Sequence, residues 1–203
     1  MERRVWIALG VVTAAVAYAA PAVAEDSAQS GPPCTGQVVA SPFARWADAH
    51  AYTLVPGGTF ETADSWTLAG GAAIVGGNEP FYVHGAGEKS SLLLAPGASA
   101  TSKPMCVSLR YPTIRMFVRT LGSRLSFFRL QAIYQSPDGN LRTVEFAKLA
   151  ATPLWKPSPA IPYLVNVDVP LEGNQTTAVA FRFTGITGMT MIDDVYVDPR
   201  AWH

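Results

Sequence analysis

Apolar and polar residues alternate in short runs along most of this chain, which is the period of a β-strand with one buried face. The alternation is clearest in residues 113–120 (TIRMFVRT) and 125–135 (LSFFRLQAIYQ). Outside an N-terminal apolar run, no window shows the i, i+3, i+4 spacing of an amphipathic helix. The main predicted strands cover residues 52–55, 72–75, 81–84, 91–94, 100–108, 113–120, 125–135, 142–149, 163–169, 176–184 and 189–197.

Turn-forming residues separate these strands throughout. Residues 136–140 (SPDGN) predict the tip of a hairpin between two long strands. Many short strands at regular spacing indicate an all-β protein, and we expect a jelly-roll β-sandwich of two antiparallel sheets. Residues 152–162 hold four prolines, so they predict a stiff crossing loop that packs Trp155 over one end of the sandwich. A polyproline segment that binds a partner is the alternative interpretation of this loop.

The N-terminus has the pattern of a secretory signal peptide. Residues 2–4 (ERR) precede an apolar run of about 16 residues, which is shorter than the roughly 20 that a membrane span needs. The small residues Ala22 and Ala24 predict cleavage after Ala24, and an uncleaved anchor is the alternative. The expected organisation is a signal peptide at 1–24, a flexible segment at 25–40 and a β-sandwich domain at 41–203. The mature protein would then be secreted and extracellular.

Charge and cysteine content narrow the classes of partner. The leader holds Arg3, Arg4 and Glu2, so 13 of the 15 basic and 14 of the 15 acidic residues belong to the mature chain. A nearly neutral protein has no field that attracts nucleic acid or an anionic membrane, and we expect a monomer. Cys34 and Cys106 are the two cysteines, and an even pair in an exported protein predicts a disulfide bond. Two free buried thiols are the alternative.

Adjacent acids mark the last predicted strand. Asp193 and Asp194 should point to opposite faces of that strand, so at most one of them can be readily solvated. The other needs a partner, because an unpaired buried carboxylate is costly.

Three short motifs resemble the jelly-roll carbohydrate-binding modules of secreted glycosidases, which are galactose-binding-like β-sandwiches. They are residues 55–61 (VPGGTFE) with Trp66 behind them, residues 90–94 (SSLLL) and residues 192–195 (IDDV). The chain also looks like uncharacterised secreted proteins of Gram-positive bacteria.

The resemblance implies a structural Ca²⁺ ion as the cofactor. Its ligands would be Glu61 and Asp193, with Asp194 as the second choice, because such modules bind the ion with an opening glutamate and an aspartate of the last strand. Calcium takes six to eight oxygen ligands, which carboxylates and backbone carbonyls can supply. The alternative is that Glu61 and Asp193 pair with arginine or accept hydrogen bonds from backbone amides.

No catalytic motif is present in the sequence, and we expect a protein that is not an enzyme. It has no Gly-x-Ser-x-Gly elbow, Walker loop or His-Glu-x-x-His motif. Glycoside hydrolysis needs two carboxylates across a cleft, and no spacing in the sequence pairs the remaining acids. These acids are Glu79, Glu88, Glu145, Asp168 and Glu172.

Strand alternation also predicts a binding surface. With the apolar residues facing the core, eight polar or aromatic residues would line the outer face of one sheet. They are Arg115, Phe117, Arg119, Phe127, Arg129, Gln131, Glu145 and Arg182. The leading hypothesis is a secreted, non-catalytic module that binds cell-wall or extracellular glycan. The alternatives are a solvated face with Arg–Glu pairs and covered phenylalanines, and a structural or protein-interaction domain of the cell envelope.

Overall fold

The strands form two antiparallel sheets in a computed structural model that describes residues 37–108, 113–136, 138–163 and 176–198. The predicted signal peptide (1–24), residues 25–36 with Cys34, and most of the predicted strand at 163–169 lie outside the described residues. The described elements are a 3-10 turn (Ala44–Trp46) and the strands β1 (Thr53–Leu54), β2 (Trp66–Ala69), β3 (Ala73–Gly76), β4 (Ser90–Leu94), β5 (Ser99–Ser102), β6 (Met105–Ser108), β7 (Thr113–Leu121), β8 (Ser126–Gln135), β9 (Leu141–Ala151), β10 (Lys156–Pro157), β11 (Ile161–Pro162), β12 (Thr176–Thr187) and β13 (Met189–Asp198).

Strand β13 lies at the centre of the first sheet. The order of that sheet is β10-β7-β13-β4-β3, with β1 also paired to β13 and β11 also paired to β7. Nine of the ten residues of β13 are buried, because both faces of this strand are covered. A strand buried on both faces appears in the sequence as a nearly continuous apolar run, which residues 189–197 approach.

Strand β12 has the equivalent central place in the second sheet. The order is β2-β5-β12-β8-β9, and β6 also pairs with β12. Strands β8 and β9 form the hairpin predicted around residues 136–140, and Ser136 N–H donates to the Asn140 carbonyl at 2.9 Å. Buried and more exposed residues alternate along β8, so one face of this sheet packs on the core and the other meets solvent.

The core lies between the two sheets and contains the side chains that alternation assigns to it. In-facing residues of β7, β8 and β12 are all buried in one cluster. They are Ile114, Met116, Val118, Phe128, Leu130, Ala132, Tyr134, Val179, Phe181 and Phe183. Val144 and Phe146 of β9 pack against the same cluster at its edge. The predicted inward faces of these strands are therefore confirmed.

A second apolar cluster covers the outer face of the first sheet. Residues 40–52 fold back over this sheet, and Phe43 stacks on Phe117 of β7 with ring centroids 5.6 Å apart. Tyr52 and Tyr196 complete the buried part of the cluster, and Trp46 packs against its edge. The outer face of the first sheet is thus a second packed interface.

Three predicted elements differ in the structure. The predicted strand at 100–108 is interrupted at Lys103 and Pro104, because proline cannot donate to a ladder. Residues 81–84 form no strand, since the amides of Phe81 and Val83 donate to the carboxylate of Glu79. The proline-rich loop contains β10 and β11, which pair with β7 at the edge of its sheet. Within the described residues, no helix has the length and apolar character needed to cross a membrane.

Candidate functional site

A β-bulge in β13 buries both acids of the last strand. The register of β13 against β7 shifts between Asp193 and Tyr196, and Asp194 has a φ of 49°, which is uncommon for a residue other than glycine. Asp193 and Asp194 are both 0% exposed. Regular alternation predicted that at most one of them could be readily solvated; neither is, and the bulge accompanies the burial of both.

Backbone amides satisfy Asp193, whereas Asp194 has no donor. Asp193 accepts from the amides of Glu79 and Asp194, each at 2.9 Å. No amide, hydroxyl or basic group of a described residue donates to the carboxylate oxygens of Asp194, and its side-chain contact is with the carboxyl group of Glu79. A buried carboxylate without a donor is destabilising, so Asp194 needs either a proton or a cation.

Two more acids lie close to the aspartates in the loop between β3 and β4. Glu79 is fully buried, and its carboxylate oxygen Oε1 accepts the Val83 amide at 2.8 Å. Glu88 contacts the ring nitrogen Nδ1 of His84 and accepts the amide of Gly85 at 3.2 Å. We call Glu79, Glu88, Asp193 and Asp194 the acidic cluster.

Burial and mutual repulsion shift the ionisation of the acidic cluster. Burial, followed by the charges of Glu79 and Glu88, raises the pKa of Asp193 to about 8. Burial and the charges of Asp193, Glu88 and Glu79 raise the pKa of Asp194 to about 9. Burial also raises the pKa of Glu88, although the contact with His84 opposes this. No described lysine or arginine forms an ion pair with the acidic cluster.

Glu61 belongs to the loop between β1 and β2, and its carboxylate contacts the start of β4, a strand that pairs with β13. Its carboxylate oxygen Oε1 accepts the amides of Lys89 and Ser90, both at 2.8 Å. The preceding turn contacts β13 directly after Asp194, because the Val195 amide donates to the Gly58 carbonyl at 3.0 Å. A Cβ atom on Gly58 would lie 2.7 Å from the Val195 carbonyl oxygen, so this approach requires glycine.

The predicted metal ligands Glu61 and Asp193 are therefore associated with two paired strands, β4 and β13, but they accept hydrogen bonds from different backbone amides. Glu61 and Asp193 both accept backbone amides, which is one alternative that the sequence left open. Within the described ranges, no three His, Cys, Asp or Glu side chains form a complete metal-binding group. The acidic residue that contacts Asp193 directly is Glu79, whose backbone amide donates to the Asp193 carboxylate. No spacing in the sequence linked residues 79 and 193.

The predicted binding face is divided between the two sheets, so the expectation of a single face is wrong. Arg115, Phe117 and Arg119 belong to β7 of the first sheet, whereas the other five residues belong to β8, β9 and β12 of the second. Alternation fixes which side of a strand a residue occupies but not which sheet the strand joins.

The β7 residues are covered. Phe117 is fully buried in the second apolar cluster, and Arg115 is buried with its guanidinium 4.3 Å from the ring centre of Phe43. Arg115 also contacts Asp48, and its Nε donates to the Ser158 carbonyl at 2.9 Å. Arg119 stacks over Trp155 at 5.7 Å, so the proline-rich loop packs against this sheet. Arg115 and Phe117 are not available to a ligand.

The remaining five residues share the outer face of the second sheet. Cross-strand pairing places two rows of side chains side by side on this face. The first row contains Thr67, Thr101, Arg182, Gln131 and Glu145, and the second contains Ala69, Ser99, Thr184, Arg129 and Lys148, with Phe127 next along β8. We call this surface the polar face.

Contacts on the polar face are few and mostly long. Arg182 Nε donates to the hydroxyl of Thr101 at 2.9 Å. Glu145 lies 3.7 Å from Arg129 Nη1 and 3.3 Å from Lys148 Nζ. Phe127 is 39% exposed, so its ring is accessible beside these polar groups. The predicted Arg–Glu pairing is present, but the predicted cover over Phe127 is absent from the described residues.

The fold and its two-sheet topology define the class of protein. The chain is a jelly-roll β-sandwich, and its fold is similar to that of CBM22 and CBM61 carbohydrate-binding modules. The two antiparallel sheets packed around one shared core confirm the predicted fold class. The likeness to these structures is one of fold.

The similar solved structures include four with stated ligands or activities. The CBM22-1 and GH10 modules of Clostridium thermocellum xylanase 10B, complexed with xylohexaose, are 16% identical with a TM-score of 0.48, and the match covers 68% of this chain but 27% of that one. A xylan-binding domain from CBM22 is 17% identical with a TM-score of 0.45 and coverage of 74% and 95%.

TmCBM61 in complex with β-1,4-galactotriose is 20% identical with a TM-score of 0.42, and the match covers 72% of this chain and 98% of that one. The enzymatically active domain of a tailspike protein from bacteriophage CBA120 also matches, with a TM-score of 0.45. No protein-family model and no curated protein sequence matches the chain.

Proposed function

We propose that the protein is a secreted, non-catalytic module that binds cell-wall or extracellular glycan on its polar face. The observation that carries this proposal is the row of hydrogen-bonding side chains that crosses the second sheet from β2 through β5, β12 and β8 to β9. Hydroxyl, amide and guanidinium groups on a rigid sheet match the hydroxyl groups of a sugar chain.

Phe127 adds an apolar contact to this polar surface. Its ring is exposed on the same side of β8 as Arg129 and Gln131. Binding sites typically combine apolar or aromatic surface with a few polar groups that fix the orientation of the ligand. A sugar ring has one apolar face and hydroxyl groups around its edge, so it fits this combination.

The glycan proposal is tested by binding insoluble and soluble polysaccharides, with Phe127→Ala as the key variant. We expect retention of at least one polysaccharide, and a loss of affinity of about tenfold in F127A, which corresponds to roughly 1.4 kcal/mol. Leu154→Ala is the matched control, because Leu154 is 71% exposed on the proline-rich loop and belongs to none of the five strands that form the polar face.

Two results would contradict the proposal. The first is no retention by any polysaccharide while envelope proteins co-purify, which would favour a protein-interaction domain. The second is hydrolysis of glycoside or ester substrates that a single carboxylate change abolishes, which would indicate an enzyme.

We also propose a structural Ca²⁺ ion near the acidic cluster, with Asp193, Asp194 and Glu61 as the predicted ligands. The two carboxylate oxygens of Asp194 that lack a donor support this proposal. So do the four acids packed together with no described lysine or arginine paired to them. A bound calcium ion would neutralise the repulsion between the four carboxylates. It would also join the turn before β2, a strand of the second sheet, to β13 of the first sheet.

Chelation tests the calcium proposal. We expect EDTA to lower the melting temperature, and Asp193→Ala, Glu61→Ala or Asp194→Asn to remove the difference between calcium and EDTA. Asp64→Asn is the control, since Asp64 is exposed and lies outside the acidic cluster. A D194N protein that melts higher than wild type in both conditions would contradict the ion, because it would mean that Asp194 is protonated in the fold.

A further inference from the structure

The polar face carries more positive than negative charge. Arg129, Lys148 and Arg182 lie on it with one acid, Glu145. Arg129 and Lys148 are direct cross-strand partners, and like charges in such a pair destabilise a sheet. This surplus is local, because the whole chain has a formal net charge of zero.

Glu145 is the one described carboxylate that contacts these cations, and it is shared. It lies 3.3 Å from Lys148 and 3.7 Å from Arg129, which is beyond hydrogen-bond distance for the arginine. The Nε of Arg129 is buried and has no hydrogen-bond partner among the described residues. The Arg129 side chain is nevertheless 43% exposed and its Nη1 forms no hydrogen bond with Glu145, so its terminal nitrogens retain unused donor capacity.

Arg182 has no acidic partner in the described part of the chain. Its Nε donates to Thr101, and no ion pair with it is formed. Arg182 pairs with Gln131, and Thr184, two residues further along β12, pairs with Arg129. Arg182 and Arg129 are thus diagonal neighbours on one face, and the backbone positions of such residues lie roughly 7–8 Å apart.

We infer that the polar face takes an acidic glycan, one whose sugars carry carboxylates, and that Arg129 and Arg182 bind those carboxylates. This inference rests on the proposed glycan function and names its ligand class. The planar guanidinium fork matches a carboxylate with two parallel hydrogen bonds, which a neutral sugar hydroxyl cannot accept in the same way. Phe127, beside Arg129 on β8, would contact the apolar face of the same or the next sugar ring.

The test compares polygalacturonate with its fully methyl-esterified form, which has the same backbone without the charge. We expect wild-type protein to bind the acid at least about tenfold more tightly than the ester, because each charge-assisted hydrogen bond is worth more than a neutral one. Arg182→Gln and Arg129→Gln should each remove most of this preference. Lys156→Gln, which removes an exposed cation from β10 of the other sheet, should retain it.

Poly-L-glutamate distinguishes sugar recognition from simple attraction of charge. Equal binding of poly-L-glutamate and polygalacturonate would overturn the inference. So would retention of neutral polysaccharides with equal affinity for acid and ester, although the proposed glycan function would then stand. Binding of neither polygalacturonate nor any neutral polysaccharide would overturn both, and the thermal melts of R182Q and R129Q show that these variants are folded.

Discussion

Asp48 organises the contact between the N-terminal segment and the first sheet. It accepts the hydroxyl of Tyr52 at 2.7 Å and the amide of His50 at 3.2 Å, and it forms an ion pair with Arg115. Burial by itself would raise the pKa of Asp48, but hydrogen bonds from Tyr52, His50 and Arg115 together lower the pKa to about 2. The charged form of Asp48 is therefore favoured by folding.

The low pKa of Asp48 predicts an acid-dependent contribution to stability. The folded pKa lies below the unfolded value of 3.8, so this stability is present above about pH 4 and is lost as the pH falls through about 2. We expect the advantage of wild type over Asp48→Asn, measured by urea unfolding, to shrink by about 2 kcal/mol across that range. Asp64→Asn should show no such change, and an advantage of wild type over D48N that is independent of pH would contradict the prediction.

The acidic cluster shows at the residue scale why part of the site escaped sequence reasoning. The acids Asp193 and Asp194 were conspicuous in the sequence, and both belong to the cluster. Glu79 and Glu88 were not, because they lie more than a hundred positions before β13 and no short motif links them. The bulge that buries both aspartates has no sequence signal that strand alternation could detect.

At the scale of strands, alternation predicted faces well and sheet membership poorly. Phe117 and Phe127 were both expected to point away from the core, and both do. They lie on opposite sheets, because β7 pairs with β13 while β8 pairs with β12. Which strands pair depends on contacts between distant segments, and a period of two contains no information about them.

The contrast between these two phenylalanines decides which surface is open. Residues 40–52 cover Phe117, and Arg115 beside it pairs with Asp48 of that segment. The outer face of the second sheet has no equivalent cover in the described ranges, so Phe127, Arg129 and Arg182 remain accessible. The hypothesis of a binding face survives in the part of the predicted set that belongs to the second sheet.

At the scale of the whole molecule, the segment before β1 contacts both sheets: residues 40–52 pack on the first sheet, and Gln37 contacts the second. The amide nitrogen Nε2 of Gln37 donates to the carbonyl of Cys106 in β6 at 2.8 Å. Gln37 follows Cys34 by three residues, so this contact supports the predicted Cys34–Cys106 disulfide. The bond itself stays a prediction, because Cys34 lies outside the described residues.

A thiol assay tests the disulfide directly. We expect no free sulfhydryl in unfolded, unreduced protein, and a reductant should lower stability by roughly 4 kcal/mol, the chain-entropy value for a loop of about 70 residues. The double variant Cys34→Ser with Cys106→Ser should be insensitive to the reductant. Two reactive thiols per chain in the unreduced protein would show that the cysteines are free.

The order of the strands along the chain also bears on how the protein reaches its native state. The central strands of the two sheets, β12 and β13, are the last two described strands, and they follow one another directly. Until residues 176–198 emerge from the ribosome, each half-built sheet lacks the strand that joins its two flanks. We therefore expect neither sheet to be completed before β12 and β13 are synthesised, and the many pairings between distant segments to make folding slow.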